Sequence, residues 1–182
     1  TTVVVDLGRA MGELGRDVDV RAVVLTGAGE KAFVAGADIA ELAELDGPGA
    51  ERYAAAGQGL MWSLENLGKP VIAAIGGFAL GGGLELALAC TVRWAAAGAR
   101  LGLPETNLGL IPGFGGTQRL ARLIGEGRCM ELVLTGDQID AQEAHRLGLV
   151  NRVVPKGEVL SVARELAAKI ASKSAPIVSH CM

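Results

Sequence analysis

The stretch from Pro70 to Cys90, PVIAAIGGFALGGGLELALAC, restricts the fold of this chain more than any other. Residues 71 to 90 carry one charge in 20 positions, the length of a membrane span. Five of those positions are Gly, Pro70 stands just before them, and Glu85 sits inside. Breakers and a carboxylate at that density argue against a span. The stretch reads instead as a buried strand over 70–75, a glycine-rich turn over 76–83 and a buried helix over 84–89. A strand with no polar face belongs to a parallel sheet covered on both sides.

The remaining pattern agrees with that reading. Val4, Leu7, Met11 and Leu14 stand at helical spacing over 3–14, and VRAVVLT over 20–26 reads as a strand ending in a Gly27-Ala28-Gly29 turn. Residues 31–38 read as a loop, 38–45 as a short helix and 49–67 as a longer one. A third strand is expected over 91–96, then an irregular Gly/Pro-rich segment, LGLPETNLGLIPGFGG, then helices over 115–124 and 126–134. Asp140 with Glu143 three residues on has capping-box spacing, and Gly148 ends that helix. A short strand over 149–154 and a helix over 157–171 follow. Strands alternating with helices make this an α/β fold.

Composition narrows the function classes. The 182 residues are 50% hydrophobic, which excludes disorder as the global state. Aromatics at 3% and a net charge of −3 argue against a nucleic-acid surface. Cys90, Cys129 and Cys181 are widely spaced and odd in number, so neither a disulfide framework nor a Cys-x-x-Cys metal pair is expected. That usage suits a reducing compartment. No secretory leader is visible, and Thr1 in place of a Met reads as a sign that the chain is part of something longer.

Four segments carry candidate chemistry. Gly27-Ala28-Gly29-Glu30-Lys31-Ala32 fits a relaxed dinucleotide pattern, but Phe33-Val34-Ala35-Gly36 does not look like a helix start, so a strand-end turn explains it better. In Ala35-Gly36-Ala37-Asp38-Ile39, Asp38 suits a helix cap, while the small residues before it let a substrate carbonyl approach free N–H groups. Gly81-Gly82-Gly83 opens the apolar helix and offers a second such corner. Two N–H groups from separate loops make an oxyanion hole. Glu85 stands between Leu84 and Leu86, where a carboxylate is costly unless paired or functional. Glu105, in the irregular segment, reads either as a helix-start acid or as a carboxylate facing Glu85. Paired carboxylates can divide acid and base duties. His145 and His180 are isolated, and His145 reads as a solvated residue on a surface helix.

The strings KAFVAGADI, KPVIAAIGGFALGGGLELALAC, LGLPETNLGLIPGFGGTQRL and LTGDQIDAQEAHRLGLVNRVV, in that order, resemble the crotonase superfamily, most closely its enoyl-CoA hydratases. The resemblance covers roughly residues 3–171 and implies a spiral of ββα units acting on a CoA thioester. It implies that the Ala37 and Gly82 N–H groups form the oxyanion hole, and that Ala35, Gly36, Asp38, Ile39, Gly81 and Gly113 contact substrate. Glu85 would activate water and Glu105 would protonate C2 of a trans-2-enoyl-CoA, giving a 3-hydroxyacyl-CoA in fatty-acid or related acyl-CoA degradation. No metal and no cofactor besides the CoA of the substrate is implied. The family also implies a homotrimer or dimer of trimers, no nucleic-acid or membrane partner, and a cytoplasmic location, or the mitochondrial matrix in a eukaryote. On this reading residues 1–171 are the core domain, and 172–182 are a tail leading towards a C-terminal helical region. A Δ3–Δ2 enoyl-CoA isomerase and a non-catalytic acyl-CoA- or RNA-binding member are the alternatives. Two positions depart from the family pattern. Thr91 stands where Asp is frequent. Leu103 replaces a polar neighbour of Glu105 and is expected to raise its pKa.

Overall fold

The computed structural model describes residues 2–29 and 31–182. Glu30, in the turn weighed above as a dinucleotide motif, lies outside them, as does Thr1. The chain opens with α1 (Thr2–Arg16), β1 (Val23–Thr26), β2 (Ala32–Val34), α2 (Ile39–Ala43) and α3 (Gly47–Glu65). A second turn follows with β3 (Val71–Ile75), β4 (Phe78–Leu80) and α4 (Gly82–Ala89). The third has β5 (Val92–Ala96), β6 (Arg100–Gly102), a 3-10 helix (Pro104–Leu108), α5 (Gly116–Ile124) and α6 (Glu126–Thr135). The chain ends with β7 (Gln138–Asp140), α7 (Ala141–Arg146), β8 (Arg152–Val154), α8 (Val159–Ala171) and α9 (Ala175–His180), the last inside the 172–182 tail.

Among the described residues the strands form two four-stranded sheets, ordered β1-β3-β5-β8 and β2-β4-β6-β7. Each of the three turns gives one strand to each sheet before its helices, so the fold is a spiral of ββα units. The first sheet is parallel throughout; in the second, β7 runs antiparallel to β6. The expected parallel pairing holds throughout the first sheet, and the second has one antiparallel edge.

The apolar strand sits at the centre. All five residues of β3 are buried. Val71, Ala73 and Ile75 join the main core, while Ile72 and Ala74 face α8 with Val159 and Ala163. Period-two alternation divides one continuous apolar run between two cores, as a parallel strand covered on both faces requires. Thr91 accepts the Val71 N–H at 3.1 Å through its hydroxyl, anchoring the start of this strand.

Four strands fall where the sequence pattern shows none: β7, which pairs antiparallel with β6 just before α7, and three more. β2 lies in the expected loop 31–38, β4 in the expected turn 76–83, and β6 at the edge of the irregular segment. Each of these three is three residues long, too short for alternation to register, and is set by parallel pairing with its neighbour. β2 also removes the dinucleotide reading, because the glycine turn leads into a strand and not a helix. The 71–90 stretch resolves into β3, β4 and α4, and no helix among the described residues is long and apolar enough to cross a membrane.

Candidate active site

The α4 helix positions the first functional group. Residues Gly83 to Ala89 are all buried, including Glu85, which is 1% exposed. Glycine at position 83 is a packing requirement. A Cβ there would overlap the Val34 backbone carbonyl at the end of β2. This close approach draws the start of α4 against the loop that begins at Ala35.

Glu85 reaches from α4 to the start of α5. Its Oε1 accepts the Phe114 N–H at 2.8 Å and the Gly116 N–H at 2.7 Å. Two N–H donors at a helix start suit an ionised carboxylate. Burial opposes them and is the larger influence, and the Glu105 charge adds to it. The Glu85 pKa is pushed up to about 7, where a general base at neutral pH is most effective.

Glu105 comes from the 3-10 helix and approaches from the other side. A Cβ on Gly81 would stand 3.1 Å from Glu105 Oε1, so the carboxyl lies against the glycine triplet. Oε2 is buried and has no hydrogen-bond partner among the described residues. Burial raises the Glu105 pKa, partly offset by a bond to its own backbone N–H. The two carboxyls therefore differ. One is held by two donors, and the other has a buried oxygen left bare, which favours a protonated acid. Leu103 is fully buried and points at the Gly116 side, where its Cδ1 would lie 3.1 Å from a Gly116 Cβ. It thus contributes to the apolar surround of Glu85 as well.

Both glutamates line one cleft of about 1280 Å³. So do Ala37 and Gly82, with Ala35, Gly36, Ile39, Gly81 and Gly113. Neither the Ala37 N–H nor the Gly82 N–H has an acceptor among the described residues. Asp38 stands between two of these lining residues, Ala37 and Ile39. Its carboxylate accepts the Ala40 N–H at 2.9 Å as the cap of α2, and it does not line the cleft. His145 is exposed as expected, with Nδ1 3.1 Å from the Val150 carbonyl. Among the described residues no cluster of His, Cys, Asp and Glu forms a metal-binding group.

Residues that sequence reasoning passed over complete the wall. The Tyr53 and Phe114 rings pack at 5.3 Å and 45°, and Phe114 fills a slot that a side chain at Gly57 would block. Arg119 holds Glu65 through two bonds of 2.8 and 2.6 Å and donates to the Phe114 carbonyl at 2.8 Å. One signal was present in the sequence. A cation in the first turns of a helix opposes the macrodipole, so Arg119 needs a partner elsewhere.

The comparisons agree with this geometry. The family described as Enoyl-CoA hydratase/isomerase matches residues 1–182. The chain is 50% identical over 172 residues to a short-chain-enoyl-CoA hydratase of Clostridium acetobutylicum, covering 94% of this chain and 66% of that protein. It is 49% identical over 164 residues to a crotonyl-CoA hydratase of Syntrophomonas wolfei, covering 90% and 63%. The crystal structure of an enoyl-CoA hydratase from Bacillus anthracis superposes with a TM-score of 0.94 at 48% identity, covering 98% of this chain and 69% of that one. The chain thus spans just under two thirds of the length of these curated relatives. The match over every residue, the ββα spiral and the paired glutamates agree: this chain belongs to the enoyl-CoA hydratase/isomerase family.

Proposed function

We propose that the protein adds water across the double bond of a trans-2-enoyl-CoA, giving a 3-hydroxyacyl-CoA. One observation carries the reading: two carboxyls of unlike environment, Glu85 and Glu105, face the same cleft beside two unengaged N–H groups. The Ala37 and Gly82 N–H groups bind the thioester oxygen and hold the negative charge that develops there. Glu85, ionised, takes a proton from water as the oxygen bonds to C3. The C2–C3 π electrons move towards the thioester, and Glu105 gives its proton to C2. Both additions come from the glutamate side, so the addition is syn. Exchange with water then returns a proton to Glu105 and removes one from Glu85. Coenzyme A enters as part of the substrate, and the scheme calls on no metal or redox group.

The reading is of a cytoplasmic enzyme of acyl-CoA degradation working as a trimer or a dimer of trimers. The unpaired Cys90, Cys129 and Cys181 support a reducing compartment. The test is loss of the enoyl-thioester absorbance of crotonyl-CoA with the full-length protein, the product being identified as 3-hydroxybutyryl-CoA. Glu85→Gln and Glu105→Gln are each expected to lose about 10³-fold or more in kcat. Wild-type protein that leaves crotonyl-CoA unhydrated but moves the double bond of a 3-enoyl-CoA overturns hydration in favour of isomerisation.

A further inference from the structure

We propose that Arg119 is a positioning residue for Glu85: clamped by Glu65, its guanidinium fixes the Phe114 carbonyl and so aims the Phe114 and Gly116 N–H groups at one oxygen of the Glu85 carboxylate. The inference rests on the hydratase reading and extends it to two residues outside the reacting atoms.

The chain of contacts is continuous. Glu65, near the end of α3, accepts from Arg119 Nε at 2.8 Å and Nη2 at 2.6 Å, a planar two-point fork. Arg119 Nη1 is left to donate to the Phe114 carbonyl at 2.8 Å. That carbonyl belongs to the peptide between the two donor peptides, which carry the Phe114 and Gly116 N–H groups. Fixing the middle peptide leaves its neighbours little freedom to rotate. Both donors then meet Glu85 Oε1, and Oε2 carries no bond among the described residues. A general base needs this arrangement, with one oxygen anchored and the other free to receive a proton.

Two further features are built around the fork. Gly115 has φ +98°, a left-handed conformation that favours glycine, and a Cβ there would strike Arg119 Nη1. The turn and the guanidinium are therefore fitted to each other. The Arg119 side chain is only 17% exposed, so the pair is partly shielded from the screening that makes surface ion pairs weak. The Phe114 ring, seated over Gly57, locates the residue, and the Arg119 bond sets the direction of its carbonyl.

The titratable groups facing Glu85 are Glu105 from the 3-10 helix, Tyr53 from α3 and Arg119 from α5, the last with Glu65 behind it. Strands β2 and β4, also packed on α4, contribute Ala, Phe, Val and Leu only. Glu105 raises the Glu85 pKa and Arg119 lowers it.

The experiment follows the Glu85 carboxyl by ¹³C NMR in full-length protein labelled at glutamate, with Glu85→Gln identifying the resonance. It is paired with kcat and KM on crotonyl-CoA. Arg119→Gln is expected to move the Glu85 midpoint up by about half a pH unit or more. The same variant is expected to lower kcat about 10- to 100-fold with KM nearly unchanged. Arg119→Lys keeps the cation but not the fork, so the midpoint returns close to wild type while kcat stays reduced. Glu65→Gln lowers kcat without raising the midpoint, because it removes an anion and leaves the cation. Wild-type midpoint and kcat in a folded Arg119→Gln overturn the proposal. So does a fall in Tm in all three variants with neither readout changed, which makes the fork a clamp between α3 and α5 only. Should Arg119→Gln not fold, Arg119→Lys and Glu65→Gln decide, and wild-type kcat in both overturns it. Wild-type protein that hydrates nothing refutes the hydratase reading, while the carboxyl titration still judges Arg119.

Discussion

The two N–H groups assigned to the thioester oxygen stand on walls built in opposite ways. Gly82 opens α4, whose next seven residues are all buried, with β2, β4, α3 and α5 packed against the helix. Ala37 precedes α2, a five-residue helix with no buried residue, whose Ile39 is 60% exposed. Proton transfer tolerates little displacement, and the proposed base is carried on the wall that packing holds more firmly. The other wall is tied by a cap and a short turn. Segments of that kind open at small free-energy cost, which suits the entry and exit of the proposed thioester.

Breaking the rigid wall is expected to have the largest effect. Gly83→Ala drives a methyl into the Val34 carbonyl, with backbone on both sides unable to yield. We expect a loss of about 3 kcal/mol or more, read as a Tm lower by about 6 °C or more. The same wall also carries a built-in strain that can be relieved. The fold raises the Glu85 pKa from 4.5 to about 7, so it favours the protonated carboxyl. The stability this group contributes is complete below pH 4.5 and is lost as pH rises towards 7, by roughly 3 kcal/mol at most. Glu85→Gln is therefore expected to melt about 3 °C or more above wild type at pH 8. At pH 4.5 the difference closes, and a gap that persists there assigns the gain to something other than the charge.

The same shift sets the pH dependence of the reaction. The proposed hydration needs Glu85 ionised, so kcat/KM is expected to fall as pH drops through about 7. The limb should approach tenfold per pH unit once Glu85 is mostly protonated. A midpoint near 4.5 shows instead that the two N–H donors outweigh burial. On the open wall, Asp38→Ala removes the α2 cap and costs about 1 kcal/mol of local order. We expect KM to rise by less than about tenfold with kcat nearly unchanged. A large fall in kcat assigns the Ala37 wall the same precision as the α4 wall and ends the contrast between them.

What could be read in advance follows the range of each interaction. Asp140 caps α7 by accepting the Glu143 N–H at 2.9 Å, a contact that spans three residues and shows in the spacing alone. The apolar run of β3 and the spacing of Val4, Leu7, Met11 and Leu14 were legible for the same reason. Glu85 stood out because a carboxylate flanked by leucines demands a cause. Asp38 shows the limit. Its cap was legible, but which of its neighbours share a cleft with Glu85 shows only in the fold.

By itself, then, the sequence determined the class of fold, the glycine corners and the two glutamates, because burial, periodicity and turn chemistry are written in neighbouring residues. The tertiary structure decided how those parts act together. The strands β2, β4 and β6 exist only through their partners. The unlike states of Glu85 and Glu105 come from donors 29 and 31 residues away in one case and a buried, unpartnered oxygen in the other. The Arg119 fork joins residues 54 positions apart. Charge in a buried site is set by whatever the fold brings within a few ångströms, and that distance is not a property of the sequence until the chain has closed on itself.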